Sequence, residues 1–201
     1  VDGQPRVLNI KEILQEFIKH RKDVVTKRTK FDLRKAKERG HIVEGLMVSI
    51  ANIDEIIKII KKSKDTKIAA TELCKKSWKA GPIEAILKKA GKDACRPKGL
   101  SSEYGIKGKN YKLSPAQAKS ILELRLGRLT GLEQDNLSTE FNEILEVILE
   151  LQKILDDKET LLQLIKDELI EVRENFGDDK KTNINDPRHD ISNEDLIPEE
   201  T

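Results

Sequence analysis

Three histidines, two cysteines and one glycine-rich stretch are the places in this 201-residue chain where chemistry could sit. His20, His41 and His189 lie far apart, and none stands in a motif with a serine or cysteine nucleophile, so surface positions are expected for all three. Cys74 and Cys95 form no CxxC pair and have no histidine at metal-ligand spacing; they read as reduced thiols without a metal or redox role. The run Gly105, Ile106, Lys107, Gly108, Lys109 lacks the spacing of a phosphate-binding loop, in which Gly-Lys-Ser/Thr closes the turn. Tyr104 and Tyr111 flank that run with nothing beside them to activate a phenol, so packing or surface roles are expected. Carboxylates are abundant but spread along helix faces, where paired acid and base catalysis or a magnesium site finds no cluster. No catalytic residue, metal ligand or cofactor site is expected in the chain.

One pattern does carry a functional reading. Between residues 21 and 39 stand Arg21, Lys22, Lys27, Arg28, Lys30, Arg34, Lys35, Lys37 and Arg39, against Asp23, Asp32 and Glu38. A helical row of this kind can neutralise phosphates without reading sequence. The candidate DNA contacts are Arg21, Lys27, Arg28, Arg34 and Lys35. The competing reading is that these cations pair with an acidic helix of the same chain.

The elements that would position these residues are helices. Aromatic residues make up 3% of the chain and charged residues 37%, which suits helices better than sheets, and the expected class is all-α. A net charge of +2 implies no bulk attraction to nucleic acid, so any such contact depends on where the charge lies. No apolar run approaches the roughly 18 residues of a membrane span, and a soluble, cytoplasmic protein is expected. The start at Val1 and a tether-like ending suggest a piece of something longer.

Residues 1–20 read as an exit strand followed by a helix that Asn9 caps and Glu12 closes, with Ile10, Ile13, Leu14, Phe17 and Ile18 on one face. An outgoing helix over 21–62 carries a seam of Val43, Leu46, Ile50, Ile53, Ile57 and Ile60. A returning helix over 132–176 carries Leu137, Phe141, Ile144, Ile148, Leu151, Leu155, Leu162, Ile165, Leu169, Val172 and Phe176. This second helix is acidic, so the two are charge complements that would lie antiparallel, forming an arm on the order of 60 Å long. A polar interruption at residues 156–160 suggests a joint in an otherwise continuous helix.

Between the two lies an insert, residues 63–131. It reads as a helix over 67–75, a turn through Trp78 and Gly81, a helix over 82–90, a loop through Tyr111, and a last helix. That last helix starts at Ser114 with Pro115 in its first turn and Gln117 completing a capping box. Ala118, Ile121, Leu122, Leu124, Leu126 and Leu129 cover more than one of its faces, and the surplus needs a partner. Residues 177–201 read as a polar linker.

Four segments are distinctive: HRKDVVTKRTKFDLRKAKERGHIVEGLMVSIANIDEII (20–57), LSPAQAKSILELRLGRLTGLEQ (113–134), ENFGDDKKT (174–182) and DISNEDLIPEE (190–200). Together they resemble the bacterial type IIA DNA topoisomerases, and most closely the gyrase branch of their A subunits. The topoisomerase IV branch shares the NIDEII and LRL-type segments. The resemblance spans essentially the whole chain. It implies a coiled-coil arm tipped by a small globular domain, with two such domains meeting as a homodimeric exit gate through which a transported duplex leaves. The six apolar positions from Ala118 to Leu129 are then the candidates for a two-fold contact. The resemblance also implies partnership with a gyrase B subunit, transient contact with double-stranded DNA, and ATP and magnesium held on parts not in this chain. The catalytic tyrosine of the family would lie upstream of residue 1, so the chain alone is expected to be inactive.

Two other classes compete with the gate. A basic region at 21–39 followed by a zipper at 43–60 would make a DNA-binding dimer, but the zipper is short and leaves the long acidic heptad without a purpose. A hinge module of a chromosome-organising coiled-coil protein shares the arm and globule layout and is set aside only by the four segments above.

Overall fold

The computed structural model describes residue 3 and residues 6–124, 131–179 and 181–182, the side chains of 131–134 aside. Two compact units divide the chain, Val1–Ile165 and Lys166–Thr201. The first holds helix α1 (Ile10–Ala51), α2 (Ile53–Lys62), α3 (Thr66–Lys75), strand β1 (Ser77–Lys79), α4 (Ile83–Ala90), strands β2 (Gly105–Lys107) and β3 (Asn110–Lys112), α5 (Pro115–Leu122) and α6 (Gly131–Asp156). Helix α7 (Lys158–Phe176) begins in the first unit and supplies the helical part of the second.

Asn9 starts α1 as the sequence predicts. The Glu12 backbone N–H donates to its Oδ1 at 2.9 Å, and its own N–H donates to Glu12 Oε2 at 2.9 Å, so two orphan donors of the first turn are satisfied reciprocally. The apolar face behind this cap is open: Ile10, Ile13, Leu14, Phe17 and Ile18 are all exposed. Further along, the helix dives into the core, and nearly every residue from Gly40 to Ser49 is buried. Gly40 and Gly45 make that passage possible. A Cβ on Gly40 would stand 2.7 Å from Cys95 Sγ and 3.1 Å from Ile144, and one on Gly45 would stand 2.6 Å from Gln117 Cγ, so both positions exclude any larger residue.

The outgoing helix does not run unbroken to Lys62. It stops at Ala51, and Asn52 uses its side-chain amide to donate to the carbonyls of Val48 (2.8 Å) and Lys79 (2.9 Å), tying the helix end to β1. One non-helical residue changes the phase of everything after it. In α2 the buried position is therefore Ile56, off the expected seam, while Ile53 and Ile57 are half-buried and Ile60 is exposed. Helix α2 packs on α3, whose N-terminus Asp65 caps through the Ile68 N–H at 2.7 Å.

The structure is largely helical, with one small sheet that the helical periodicity does not reveal. Strands β1, β3 and β2 stand in that order, all antiparallel, with Trp78 and Ile106 each opposite Tyr111. Trp78 is fully buried and donates its indole N–H to the Leu73 carbonyl at 2.9 Å, which satisfies its one polar atom.

Helix α6 comes back along α1. Arg39 donates to Glu140 Oε1 from Nε at 2.8 Å, and Ile144 fits against Gly40. Its buried row is Leu137, Phe141, Leu145 and Ile148, with Ile144, Leu151 and Leu155 half-buried. One core cluster joins Val43, Leu46 and Val48 of α1, Trp78, Tyr111 and Leu113 of the insert, and Phe141 of α6. Insert and returning helix therefore share a single core. Between α6 and α7 the expected joint is present as a capped break. Asp157 leaves the helix and accepts from the backbone N–H groups of Glu159 (3.1 Å) and Thr160 (3.0 Å) and from the Thr160 hydroxyl. Past it Ile165 is buried, whereas Leu162 and Leu169 are exposed.

Candidate nucleic-acid interface

Where α1 crosses the insert, five polar side chains meet in the core. Gln117 is at the centre: its Oε1 accepts from the Ser114 N–H at 2.9 Å, and its amide nitrogen donates to the His41 carbonyl and to the Tyr111 hydroxyl, each at 2.7 Å. His41 Nε2 lies 2.8 Å from Ser114 Oγ, and its Nδ1 lies 3.3 Å from the Gln117 amide, an arrangement that fits the tautomer with the proton on Nε2. Tyr111 in turn hydrogen-bonds Glu44. Only 4% of His41 and 5% of Glu44 is exposed. Burial, with the positive charge of Arg96 adding to it, lowers the His41 pKa to about 4. For Glu44 burial dominates over the Tyr111 hydrogen bond and raises the pKa to about 7. Burial, reinforced by the Glu44 charge, lifts the Tyr111 pKa above its usual value.

This chain of bonds is turned inward, each member bonded to another within the fold and almost wholly covered. It is a lock, fastening α1 to β3 and to the start of α5. The expectation of a surface histidine is thus corrected at His41. Its burial follows from the two flanking glycines and from partners some seventy positions away in the chain, at Ser114 and Gln117. Among the described residues, no group of three or more His, Cys, Asp or Glu comes together that could hold a metal ion.

Beside this lock, α1 and the segment 93–100 enclose a groove of about 770 Å³. Its rim carries Lys30, Arg34, Lys37, Arg96 and Lys98, with Asp93 as the carboxylate among the lining residues, and Leu33, Pro97 and Leu100 form an apolar floor. Arg96 pins the segment, donating to the carbonyls of Ser101 (2.7 Å) and Tyr104 (3.4 Å) and pairing with Asp93 at 3.1 Å. Of the cations expected to meet DNA, Arg34 belongs to this groove. Arg34 and Lys35 also share Glu38 at 3.9 Å and flank the exposed ring of Phe31, at 5.3 and 5.8 Å from its centre. Lys27 is exposed, whereas Arg21 and Arg28 already take part in interactions within the chain. Lys30 and Lys37 belong to the basic row but not to the five named contacts, and Lys98 lies outside that row; the loop's approach to α1 singles the three out.

The expected interface residues divide. Ala118 (0% exposed) and Ile121 (4%) are packed into the chain's own core. Leu122 and Leu124 are partly buried against that core, and Leu126 and Leu129 lie outside the described residues. Leu122 lines a hollow of about 380 Å³ with Thr66, Ala70 and Lys119. A second hollow of about 370 Å³, lined by Cys74, Tyr104 and Pro115, lies on the other side of Ala70.

The whole of this first unit matches a known family: residues 1–170 fit the family model that describes the A subunits of DNA gyrase and topoisomerase IV. The chain belongs to that family. Its curated relatives include the DNA gyrase A subunit of Pseudomonas aeruginosa, 48% identical over 200 residues, which cover 100% of this chain and 22% of the relative. The DNA gyrase A subunit of Aeromonas salmonicida is 46% identical over 99% of this chain and 22% of its own length. The Staphylococcus aureus strain MRSA252 counterpart is 42% identical over 100% and 19%. The chain therefore spans about a fifth of the gyrase A subunits it matches.

Proposed function

We propose that this chain is the arm and exit-gate part of a DNA gyrase A subunit, holding two subunits together and opening to release a transported duplex during ATP-dependent negative supercoiling. The observation that carries the reading is the end-to-end alignment with DNA gyrase A subunits, on a chain whose insert sits between an outgoing and a returning helix packed on one another. Intrachain pairing of α1 with α6 speaks against the zipper, which would need the α1 seam free for a second copy. A topoisomerase IV A subunit is the second reading, because the family model covers both; the names of the curated relatives favour gyrase.

In this reading the dimer contact lies on the face of α3 and α5, where Leu122 and the two hollows beside Ala70 offer an apolar, indented surface. A self-complementary two-fold contact would let Leu122 of one copy fill a hollow of the other. Asp157 and its neighbours form the elbow that bends as the gate moves. ATP and magnesium would be held by parts of a gyrase A and B assembly outside this chain, which alone would be inactive. The assembly would work in the bacterial cytoplasm on double-stranded DNA.

Sedimentation equilibrium of the 201-residue chain tests the gate. A dimer is expected, weakened by Leu122→Glu and, on the rim of the same hollow, by Lys119→Glu, whose exposed side chain leaves the core untouched. A wild-type chain that stays monomeric up to its solubility limit, or a dimer indifferent to both changes, rejects the reading.

A further inference from the structure

We propose that the groove between α1 and the segment 93–100 grips the phosphodiester backbone of duplex DNA, with Lys30, Lys37 and Lys98 as its phosphate contacts. Charge is the first argument. Of the five cations on the rim, Arg96 is paired with Asp93 and bound to two carbonyls, and Arg34 has Glu38 near it. The three lysines line the groove and make no ion pair among the described residues, so their charge is less engaged than that of Arg96 and Arg34.

Geometry is the second. Lys30 and Lys37 are two turns apart on one face of α1, about 10 Å by the helical rise, which is enough to span two or three successive phosphates of a strand. Lys98 approaches from the opposite wall, on a segment that Arg96 holds in place, so the site is formed before anything binds. The chemistry of the floor is the third. Leu33, Pro97 and Leu100 can lie against deoxyribose, while no aromatic side chain lines the groove to stack a base. A sugar-phosphate backbone suits it better than a free nucleotide, and the contact would be blind to sequence. Arg21 and Arg28 are less suited, being already engaged within the chain.

The inference rests on the gate reading for the reason DNA passes this chain, but binding in the groove needs no dimer. The test is fluorescence anisotropy of a labelled duplex of about 20 base pairs against the 201-residue chain, over a series of salt concentrations. The variant Lys30→Ala/Lys37→Ala/Lys98→Ala is compared with Lys58→Ala/Lys61→Ala/Lys62→Ala, which removes the same charge from α2. Circular dichroism and Trp78 emission verify that both are folded. The groove variant is expected to lose on the order of 100-fold in affinity, and its salt slope should shrink by about one unit per lysine, while the α2 variant changes little. Equal losses in the two variants, no binding by the wild type, or binding of inorganic tripolyphosphate without duplex would each overturn the proposal. Sedimentation in the same buffers separates the two readings: a monomer that binds through the groove sinks the gate alone, and a dimer whose binding ignores the groove lysines sinks the groove alone.

Discussion

At the scale of single residues, Glu44 and His41 pull the stability of the fold in opposite directions as pH changes. The Glu44 pKa rises from 4.5 to about 7, so the folded chain holds that proton more tightly than the unfolded one, and stability falls as pH climbs through this window. The His41 pKa drops from 6.5 to about 4, so its contribution is complete above 6.5 and is lost as pH falls towards 4. Each shift is worth on the order of 3 kcal/mol, and between pH 4.5 and 6.5 the two slopes oppose one another. Glu44→Gln removes one of them. Measured by urea denaturation, the stability of this variant relative to wild type should rise by about 1.4 kcal/mol per pH unit from 4.5 to 7. Parallel pH profiles for the two proteins would show that Glu44 titrates normally and that the lock is not as closed as described. None of this was legible beforehand. His41 and Glu44 stand on one helical face next to two glycines, but their partners come from residues 111–117, and no local pattern announces a contact of that sequence separation.

Elements were legible wherever their signal is local. The capping boxes of Asn9 with Glu12 and of Ser114 with Gln117 each lie within four residues, and both helices begin where those residues say. The polar interruption after α6 was equally readable, because Asp157 satisfies the exposed N–H groups of the next turn by itself. Asp157→Ala should therefore destabilise the start of α7, and amide exchange should speed up at Glu159 and Thr160 while α5 stays protected. Unchanged exchange at those two amides would mean that the break is held by something other than its cap. The end of α1 was not readable, since Asn52 owes its conformation partly to the Lys79 carbonyl, 27 positions on. Nor were the strands, each only three residues long, in which a single β-favouring residue, Trp78, Ile106 or Tyr111, is too short a run to announce itself.

For the molecule as a whole, the shared core is the governing feature. With Val43, Trp78, Tyr111 and Phe141 in one cluster, the insert has no separate interior with which to survive loss of α6. Trp78 fluorescence and the main far-ultraviolet circular dichroism transition should then report the same midpoint in urea. An earlier loss of tryptophan signal would make the insert an independent folding unit instead. The same core also sets apart the two thiols. Cys95 is wedged against Gly40, and burial, with the nearby Glu44 charge, pushes its pKa up to about 12, whereas Cys74, whose pKa burial raises against the pull of Lys112, sits half-open on the wall of a surface hollow. A maleimide dye offered at neutral pH thus has one practical point of attachment in the folded protein, and it lies on the α3 face. The native sequence already supplies a single-site handle for watching that face by fluorescence, with no residue needing to be replaced.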